Sequence, residues 1–370
     1  MKGQRNMKKI AIFLPNLKGG GAERVFVNLS NAFVQRGFDV DIVLIQKCGE
    51  LLDSLDKKVN IINLDKKRIR QSFIPLTSYL KKNKPDAFIT VMWPLTVLGT
   101  LAFRLSGCNG SVIVSDHNTL SLSTASFNKL KKTLLAKTIK HFYPLADIRL
   151  AVSNGVSADI KEFSGLENCN IDVIYNPVLM HSGNEFQSFP NRQRSRIINV
   201  GSFKAQKNQK LLIRAFAKIV YIVDAELVII GDGPLRKSLE ELVKELNLSN
   251  YVIIPGFKKD VTAEYRKSKL FVLSSDYEGF GNVLVEAMSV GTPVVSTDCK
   301  SGPREILADG KYGTLVPVGD VDALAQAMLD SLQQEHDVEA LKRRAADFSV
   351  DKIAAQYLDV MFPERLESNG

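Results

Sequence analysis

The sequence predicts an α/β protein made of two doubly wound, parallel-sheet domains. Three observations predict it. First, short apolar runs recur along the chain, each followed by a polar or glycine-bearing loop and then by apolar residues at helical spacing. Second, this rhythm lapses once, over the polar and aperiodic residues 181–195, and then restarts. Third, glycines cluster just after the apolar runs, where an open parallel sheet binds its ligands. The expected organisation is a first domain over 1–180, a linker over 181–195, a second domain over 196–349, and a closing helix with its tail over 350–370.

In the first half, Lys9–Leu14 is a strand, Pro15–Gly21 a loop, and Ala22–Arg36 a helix with Val25, Leu29, Ala32 and Phe33 at helical spacing before Gly37. Asp39–Ile45 is the second strand. The loop glycines Gly19, Gly20 and Gly21 can bring backbone amides against a phosphate, with Glu23 in the first helical turn. Their spacing does not match the dinucleotide fingerprint, and no acid ends the second strand, so a nicotinamide cofactor is not expected. Asp39-Val-Asp41 has a metal-binding form but lies at the start of a strand, the wrong end for a ligand, and is expected to be structural. Val59–Leu64 is a further strand, and Ser78–Asn83 closes a helix before the strand Ala87–Met92. The uncharged run Ala87–Phe103 is at the lower limit for a membrane span and contains Pro94, so a strand, a proline turn and a buried helix are expected. Asp116, His117 and Asn118 end the strand Ser111–Ser115, which makes His117 a site candidate. Phe127–Tyr143 is a basic amphipathic helix whose lysines can meet an anionic membrane or simply face solvent. Ala146–Val152 and Ile171–Tyr175 complete this half.

The second half repeats the pattern with strand Ile197–Val200, a loop containing Gly201, Ser202 and Lys207, and helix Gln209–Ile219. Strand Leu227–Ile230 runs into Gly231-Asp-Gly-Pro234 and helix Leu235–Leu246. Strand Val252–Ile254 leads to Phe257 and Lys258, helix Val261–Arg266 follows, and Leu270–Ser274 is a short buried strand. Next comes the stretch that carries the chemistry: Glu278, Gly279, Phe280, Gly281, Asn282, Val283 and, in the helix that follows, Glu286. Small residues let a ligand approach the backbone, and the first-turn amides of that helix favour an anion. Two carboxylates eight residues apart flank this anion seat, as a sugar nucleotide with its hydroxyls and diphosphate requires. Asp320 is expected to cap a helix.

The four cysteines stand far apart with no metal-ligand spacing, and reduced thiols are expected. Met1–Lys9 is followed by too short an apolar run for a secretory signal. Residues 1–180 hold 25 Lys+Arg against 14 Asp+Glu, whereas residues 181–370 hold 24 against 26. A basic first half implies an anionic partner, either a membrane surface or a diphosphate-bearing substrate. Nucleic acid is not expected, since aromatics are only 8% and no zinc-finger or RNA-binding motif is present.

Taken together, Gly20-Gly-Ala-Glu23, Gly201 with Lys207, Gly231-Asp-Gly-Pro234, Glu278 with Glu286, and Gly291-x-Pro293 resemble, in order and spacing, family 4 of the retaining glycosyltransferases. The resemblance spans roughly residues 7–365. It implies the GT-B fold, two Rossmann-like domains facing a cleft with a C-terminal helix crossing back to the first. It also implies roles. Glu286 binds the nucleotide ribose, Glu278 lies against the donor sugar, and Gly279 to Val283 hold sugar and diphosphate. Lys207 neutralises the diphosphate, the 19–21 loop closes on it, His117 reaches the donor sugar, and the base lies near Phe257 and Lys258. Members commonly carry arginine where this chain has Ser202, so diphosphate charge falls to Lys207, to helix amides, or to Arg304 or Lys204.

The expected activity is therefore retaining, metal-independent transfer of a hexose or N-acetylhexosamine from a nucleoside-diphosphate sugar, with a UDP-sugar favoured. No cofactor is expected. The acceptor is a lipid-linked glycan of surface polysaccharide, and the enzyme works in the cytoplasm at the inner membrane face. Alternatives are a GDP-mannose-dependent mannosyltransferase, a sugar-nucleotide 2-epimerase, and a sugar-nucleotide-binding protein without activity.

Overall fold

A computed structural model describes residues 7–180 and 194–363. Most of the expected linker, residues 181–193, lies outside them. Contacts divide the chain into two units, Met1–Val178 with Ser349–Gly370, and Leu179–Phe348.

The first unit runs β1 (Lys9–Leu14), α1 (Gly21–Gln35), β2 (Asp39–Leu44), β3 (Asn60–Asn63), α2 (Phe73–Asn83), β4 (Ala87–Val91), α3 (Leu95–Ser106) and β5 (Ser111–Asp116). It continues with α4 (Leu120–Ser123), α5 (Lys129–Phe142), β6 (Ile148–Ala151), α6 (Asn154–Ser164) and β7 (Asp172–Val173). The second unit runs β8 (Ser195–Val200), α7 (Gln209–Ile219), β9 (Ala225–Ile230), α8 (Arg236–Glu245), β10 (Val252–Gly256), α9 (Thr262–Arg266) and β11 (Leu270–Leu273). It closes with α10 (Asn282–Ser289), β12 (Val294–Thr297), α11 (Pro303–Ile306), β13 (Thr314–Val316), α12 (Val321–Gln333) and α13 (Val338–Ala346). The last helix, α14 (Val350–Met361), belongs to the first unit.

Both sheets are parallel. Their strand orders are β3-β2-β1-β4-β5-β6-β7 and β10-β9-β8-β11-β12-β13. Each order reverses once, between β1 and β4 and between β8 and β11, and a doubly wound sheet opens its binding crevice at that reversal. Strands covered on both faces carry continuous apolar runs, which is why Ile10 to Leu14 and Leu270 to Phe271 are wholly buried. One face of the first sheet packs Ile10, Ile12 and Ile42 against Phe26 and Leu29 of α1, and the opposite face packs Phe13, Phe88 and Val112 against Leu76, Leu80 and Phe103 of α2 and α3.

The uncharged run from Ala87 resolves into β4, a cis Trp93–Pro94 turn and α3, and among the described residues no helix is long and apolar enough to cross a membrane. Helix α14 packs on α1: Phe362 stacks on Phe38 at 5.4 Å, and the Arg36 guanidinium meets Asp351 at 2.8 Å. Asp320 accepts a hydrogen bond from the Ala323 amide and caps α12.

The helix that Ser78–Asn83 closes starts at Phe73, and Pro75 falls in its first turn, where its missing N–H costs nothing. The apolar residues of 127–143 do not form a single core stripe: α5 buries only Leu135 and Ile139 and leaves Leu130 and Leu134 exposed. Within Ile171–Tyr175, Asp172 and Val173 pair with β6 at the sheet edge.

Candidate active site

The reversal point of the second sheet brings together two loops that are distant in sequence. The loop after β8 carries Lys207, and the loop after the neighbouring strand β11 carries Glu278. Lys207 Nζ lies 2.6 Å from Glu278 Oε1, with the two side chains 19% and 7% exposed. Ser275 Oγ donates to the same carboxylate oxygen at 2.6 Å. The two residues expected to act separately, one on the diphosphate and one on the sugar, form a single, mostly buried ion pair.

Backbone and side-chain bonds fix the two loops to each other. Ser274 Oγ donates to the Lys207 carbonyl at 2.9 Å, and Gln206 Nε2 to the Tyr277 carbonyl at 2.9 Å. Asn208 Nδ2 meets Asp276 Oδ1 at 2.8 Å, and the Asp276 amide reaches the Gln206 carbonyl at 2.8 Å. A lysine and a glutamate so held lose little further rotamer entropy on binding a ligand, which is how pre-organised sites gain their strength. Ser274, Ser275, Gln206 and Asn208 were not singled out in the sequence. The only signal there was a run of small polar residues after each strand, and nothing local specified the pairing.

The remaining second-unit candidates lie on loops and a helix that follow the strands of the second sheet. The Lys207 side chain lies over Gly201, and a Cβ there would sit 3.7 Å from its carbons. Ser202 accepts from Gln209 Nε2 at 3.2 Å through its carbonyl, while Gln209 Oε1 is buried without a partner among the described residues. Gly231, at φ +150°, sits so close that a Cβ would fall 1.9 Å from the Gly201 carbonyl oxygen, so only glycine fits between these loops. Gly279, Phe280 and Gly281 lead into α10, whose first residues are Asn282 and Val283 and whose positive dipole end faces the turn that bears Glu278. Glu286, one turn further along, accepts from Tyr265 Oη at 3.1 Å. Phe257 is 60% exposed after β10, and Lys258 is tied to Glu264 at 2.5 Å. Cys299 is buried beside the pair, and burial together with the Glu278 carboxylate pushes its thiol up, keeping it protonated. Arg304 is engaged by Asp298 and, at 3.3 Å, by Asp309, so it is not a ready substitute for the arginine absent at 202.

The other candidates lie in the first unit. Gly20 precedes α1, Gly21 opens it, and the Glu23 carboxylate folds back so that a Cβ on Gly20 would meet Glu23 Oε2 at 2.1 Å. Glu50 occupies the same kind of space beside Gly19, at 2.2 Å. The loop expected to offer bare amides to a phosphate is therefore already lined by two carboxylates of its own chain. His117 sits just past the carboxyl end of β5 but is buried under α1. Its ring meets Phe26 edge-on at 5.4 Å, and Nε2 is 3.1 Å from Ser115 Oγ. Among the described residues Nδ1 has no hydrogen-bond partner, and burial lowers the imidazole pKa to about 3, which Asn176 nearby offsets only in part. His117 is thus neutral at physiological pH. Its neighbour Asp116, also buried, accepts from Tyr143 Oη at 2.7 Å, and burial pushes its carboxyl up to about 7 against that bond. The Asp-x-Asp carboxylate Asp41 lies at the amino end of β2 and is taken up by Lys9, Asn60 and Tyr79.

A buried Lys–Glu pair beside a helix N-terminus, at the switch point of a doubly wound sheet, is suited to an anion with hydroxyl groups attached. Comparison with known proteins agrees with that chemistry. Residues 19–179 match the model of glycosyltransferase family 4, and residues 183–348 match that of the glycosyl transferases group 1. An uncharacterized glycosyltransferase of Methanocaldococcus jannaschii is 31% identical over 75% of this chain and 79% of its own. The chain belongs to glycosyltransferase family 4. A second relative of this glycosyltransferase, 29% identical over 92% of the chain and 94% of its own, is the N-acetylgalactosamine-N,N'-diacetylbacillosaminyl-diphospho-undecaprenol 4-alpha-N-acetylgalactosaminyltransferase of Campylobacter jejuni. Among solved structures, Anabaena HepE in complex with UDP and glucose superposes with a TM-score of 0.78 at 20% identity, covering 96% of this chain and 99% of that one, which establishes the GT-B fold. The enzyme class, the fold and the family expected from the sequence all hold.

Proposed function

We propose that this glycosyltransferase is retaining and metal-independent. It moves a hexose or N-acetylhexosamine from a UDP-sugar to a hydroxyl of a lipid-linked glycan in surface-polysaccharide assembly, on the cytoplasmic face of the inner membrane. The observation that carries the reading is the buried Lys207–Glu278 pair at the β8/β11 switch point. The diphosphate of an entering donor competes with Glu278 for the Lys207 ammonium, and the released carboxylate accepts from sugar hydroxyls. As the bond from the anomeric carbon to phosphate oxygen breaks, Lys207 and the amides opening α10 stabilise the departing charge. The acceptor oxygen bonds to the anomeric carbon on the same face, and its proton passes to the leaving phosphate. Glu286 takes the ribose hydroxyls, and Phe257 with Lys258 lies at the base. His117, Gly20, Gly21 and Glu23 are assigned to the donor by family resemblance. The lipid-linked acceptor is supported by the diphospho-undecaprenol named for the Campylobacter relative, and the uridine by the UDP held in the structural neighbour.

The test is a thermal-shift series with UDP-, GDP- and ADP-sugars in a metal chelator. A ligand at a hundredfold excess over its Kd stabilises the native state by about 2.7 kcal/mol. A shift with UDP-sugars alone is expected, followed by transfer with retained anomeric configuration. A shift with GDP-sugars alone replaces the donor, and no shift with any refutes the site.

A further inference from the structure

The basic excess of the first half comes from one stretch. Residues 66–146 hold 13 Lys+Arg and two acids, Asp86 and Asp116, and residues 117–146 hold five lysines and no acid. Asp116 is buried, and Asp86 accepts the Lys9 amide at the foot of β4. The stretch folds into α2, α3 and α5, with α3 packed between the other two. It therefore forms a basic layer over one face of the sheet.

Within that layer α5 is built unlike a core helix. Leu130 is 78% exposed and Leu134 is 62% exposed. They lie one turn apart on the side opposite Leu135 and Ile139, and Phe127 lies one turn earlier. Lys137 and His141 share that side, and Lys129, Lys131 and Lys140 flank it. Lys131 Nζ lies 6.0 Å from the Phe127 ring centre. The first turn holds Lys129, Lys131 and Lys132 and no acid, at the helix end where the dipole is already positive. Neither feature favours folding in water: the leucines leave most of their surface in water, and the lysines oppose the dipole. An anionic surface with an apolar interior relieves both.

We propose that this face of α5 seats the protein on an anionic bilayer. Phe127, Leu130 and Leu134 enter the interfacial layer, and Lys129, Lys131 and Lys137 meet its headgroups. The inference rests on the reading of the acceptor as lipid-linked and names the surface that reaches it. Because α5 follows β5 through α4, its leucine-bearing first turns lie at the carboxyl edge of the sheet, the edge that also carries His117.

The test is co-sedimentation of the full chain, without donor or acceptor, with vesicles of phosphatidylcholine alone and of phosphatidylcholine mixed with phosphatidylglycerol. Binding to the anionic vesicles only, weakening with salt, is expected. Lys129→Gln with Lys137→Gln lowers partitioning roughly 30-fold, at about 1 kcal/mol per lysine. Leu130→Ser with Leu134→Ser lowers it on the order of tenfold. Both variants keep the wild-type response to nucleotide sugars. Equal binding to neutral vesicles, no binding, or variants that bind like wild type overturn the proposal. So does a solution dimer that the leucine variant dissociates, which assigns the face to a second copy. A nucleotide-sugar shift without vesicle binding removes the membrane seat alone. Vesicle binding without any nucleotide-sugar shift leaves the seat and removes the donor reading.

Discussion

Cutting the Lys207–Glu278 pair from either side tests whether it is one unit. The pair is short and mostly buried, with Glu278 enclosed and Lys207 partly reached by solvent. Removing one partner of a fully buried pair costs about 3–5 kcal/mol, whereas an exposed pair contributes about 0–1 kcal/mol. Lys207→Ala leaves a buried carboxylate that keeps the Ser275 hydroxyl, so a loss of about 2–3 kcal/mol is expected. At about 2–4 °C per kcal/mol for a unit of this size, the melting transition falls by roughly 4–12 °C. Lys207→Ala with Glu278→Ala removes the stranded charge, so the double variant should be less destabilised than the two singles combined, by about 1–3 kcal/mol. Turnover should drop on the order of 100- to 1,000-fold in each single variant, as when one transition-state contact is removed. The measurements are chemical denaturation of all four proteins and initial rates with excess donor. Additivity within about 0.5 kcal/mol refutes the coupled pair. Near-normal turnover in both singles refutes its role in transfer.

Two further perturbations follow from the geometry. Asp116 and His117 are adjacent, buried, and shifted in opposite senses. The folded pKa of Asp116 is raised to about 7, so its contribution to stability is present at acid pH and is lost as pH rises through about 4 to 7. That of His117 is lowered to about 3, so its contribution is lost as pH falls from about 6.5 to 3. The two slopes oppose each other in the wild type. Asp116→Asn should expose the histidine slope, with melting temperature rising from acid to neutral pH more steeply than in the wild type; parallel profiles would show that the two groups are not so buried. Gly302 stands at φ +89°, with the Phe280 carbonyl oxygen 1.8 Å from where a Cβ would lie. Gly302→Ala should therefore displace the Phe280–Asn282 turn, lowering stability by roughly 3 kcal/mol or more and weakening donor binding, as read by denaturation and thermal shift. A wild-type response to donor would show that the turn yields at little cost.

Much of this protein is local and therefore legible in order. The strand–loop–helix alternation follows from apolar periodicity, glycine at helix ends and proline in turns. The identity of each unit as a doubly wound sheet follows from that alternation, because parallel strands need crossover helices. The motifs that resemble a glycosyltransferase were readable for the same reason: each lies on one connection between a strand and a helix or in the helix beside it, and its spacing is local. The sequence also placed a basic face on the first unit and an amphipathic helix over residues 127–143. What it could not determine was which side chains meet across distance. Lys207 and Glu278 are 71 residues apart, and only the order of the sheet, with β8 beside β11, turns two candidate contacts into one ion pair. Periodicity put Leu130 and Leu134 on a helix without saying what covers them, and packing of α5 against α3 and α6 left them in solvent, since a helix against only part of a layer buries one narrow stripe. His117 was readable as an end-of-strand residue, yet its neutrality depends on burial under α1 and Phe26, which no local pattern specifies. The chain's local chemistry set its elements and motifs, and tertiary packing decided their charge states and partners, because burial and long-range contact are properties of the assembled sheets.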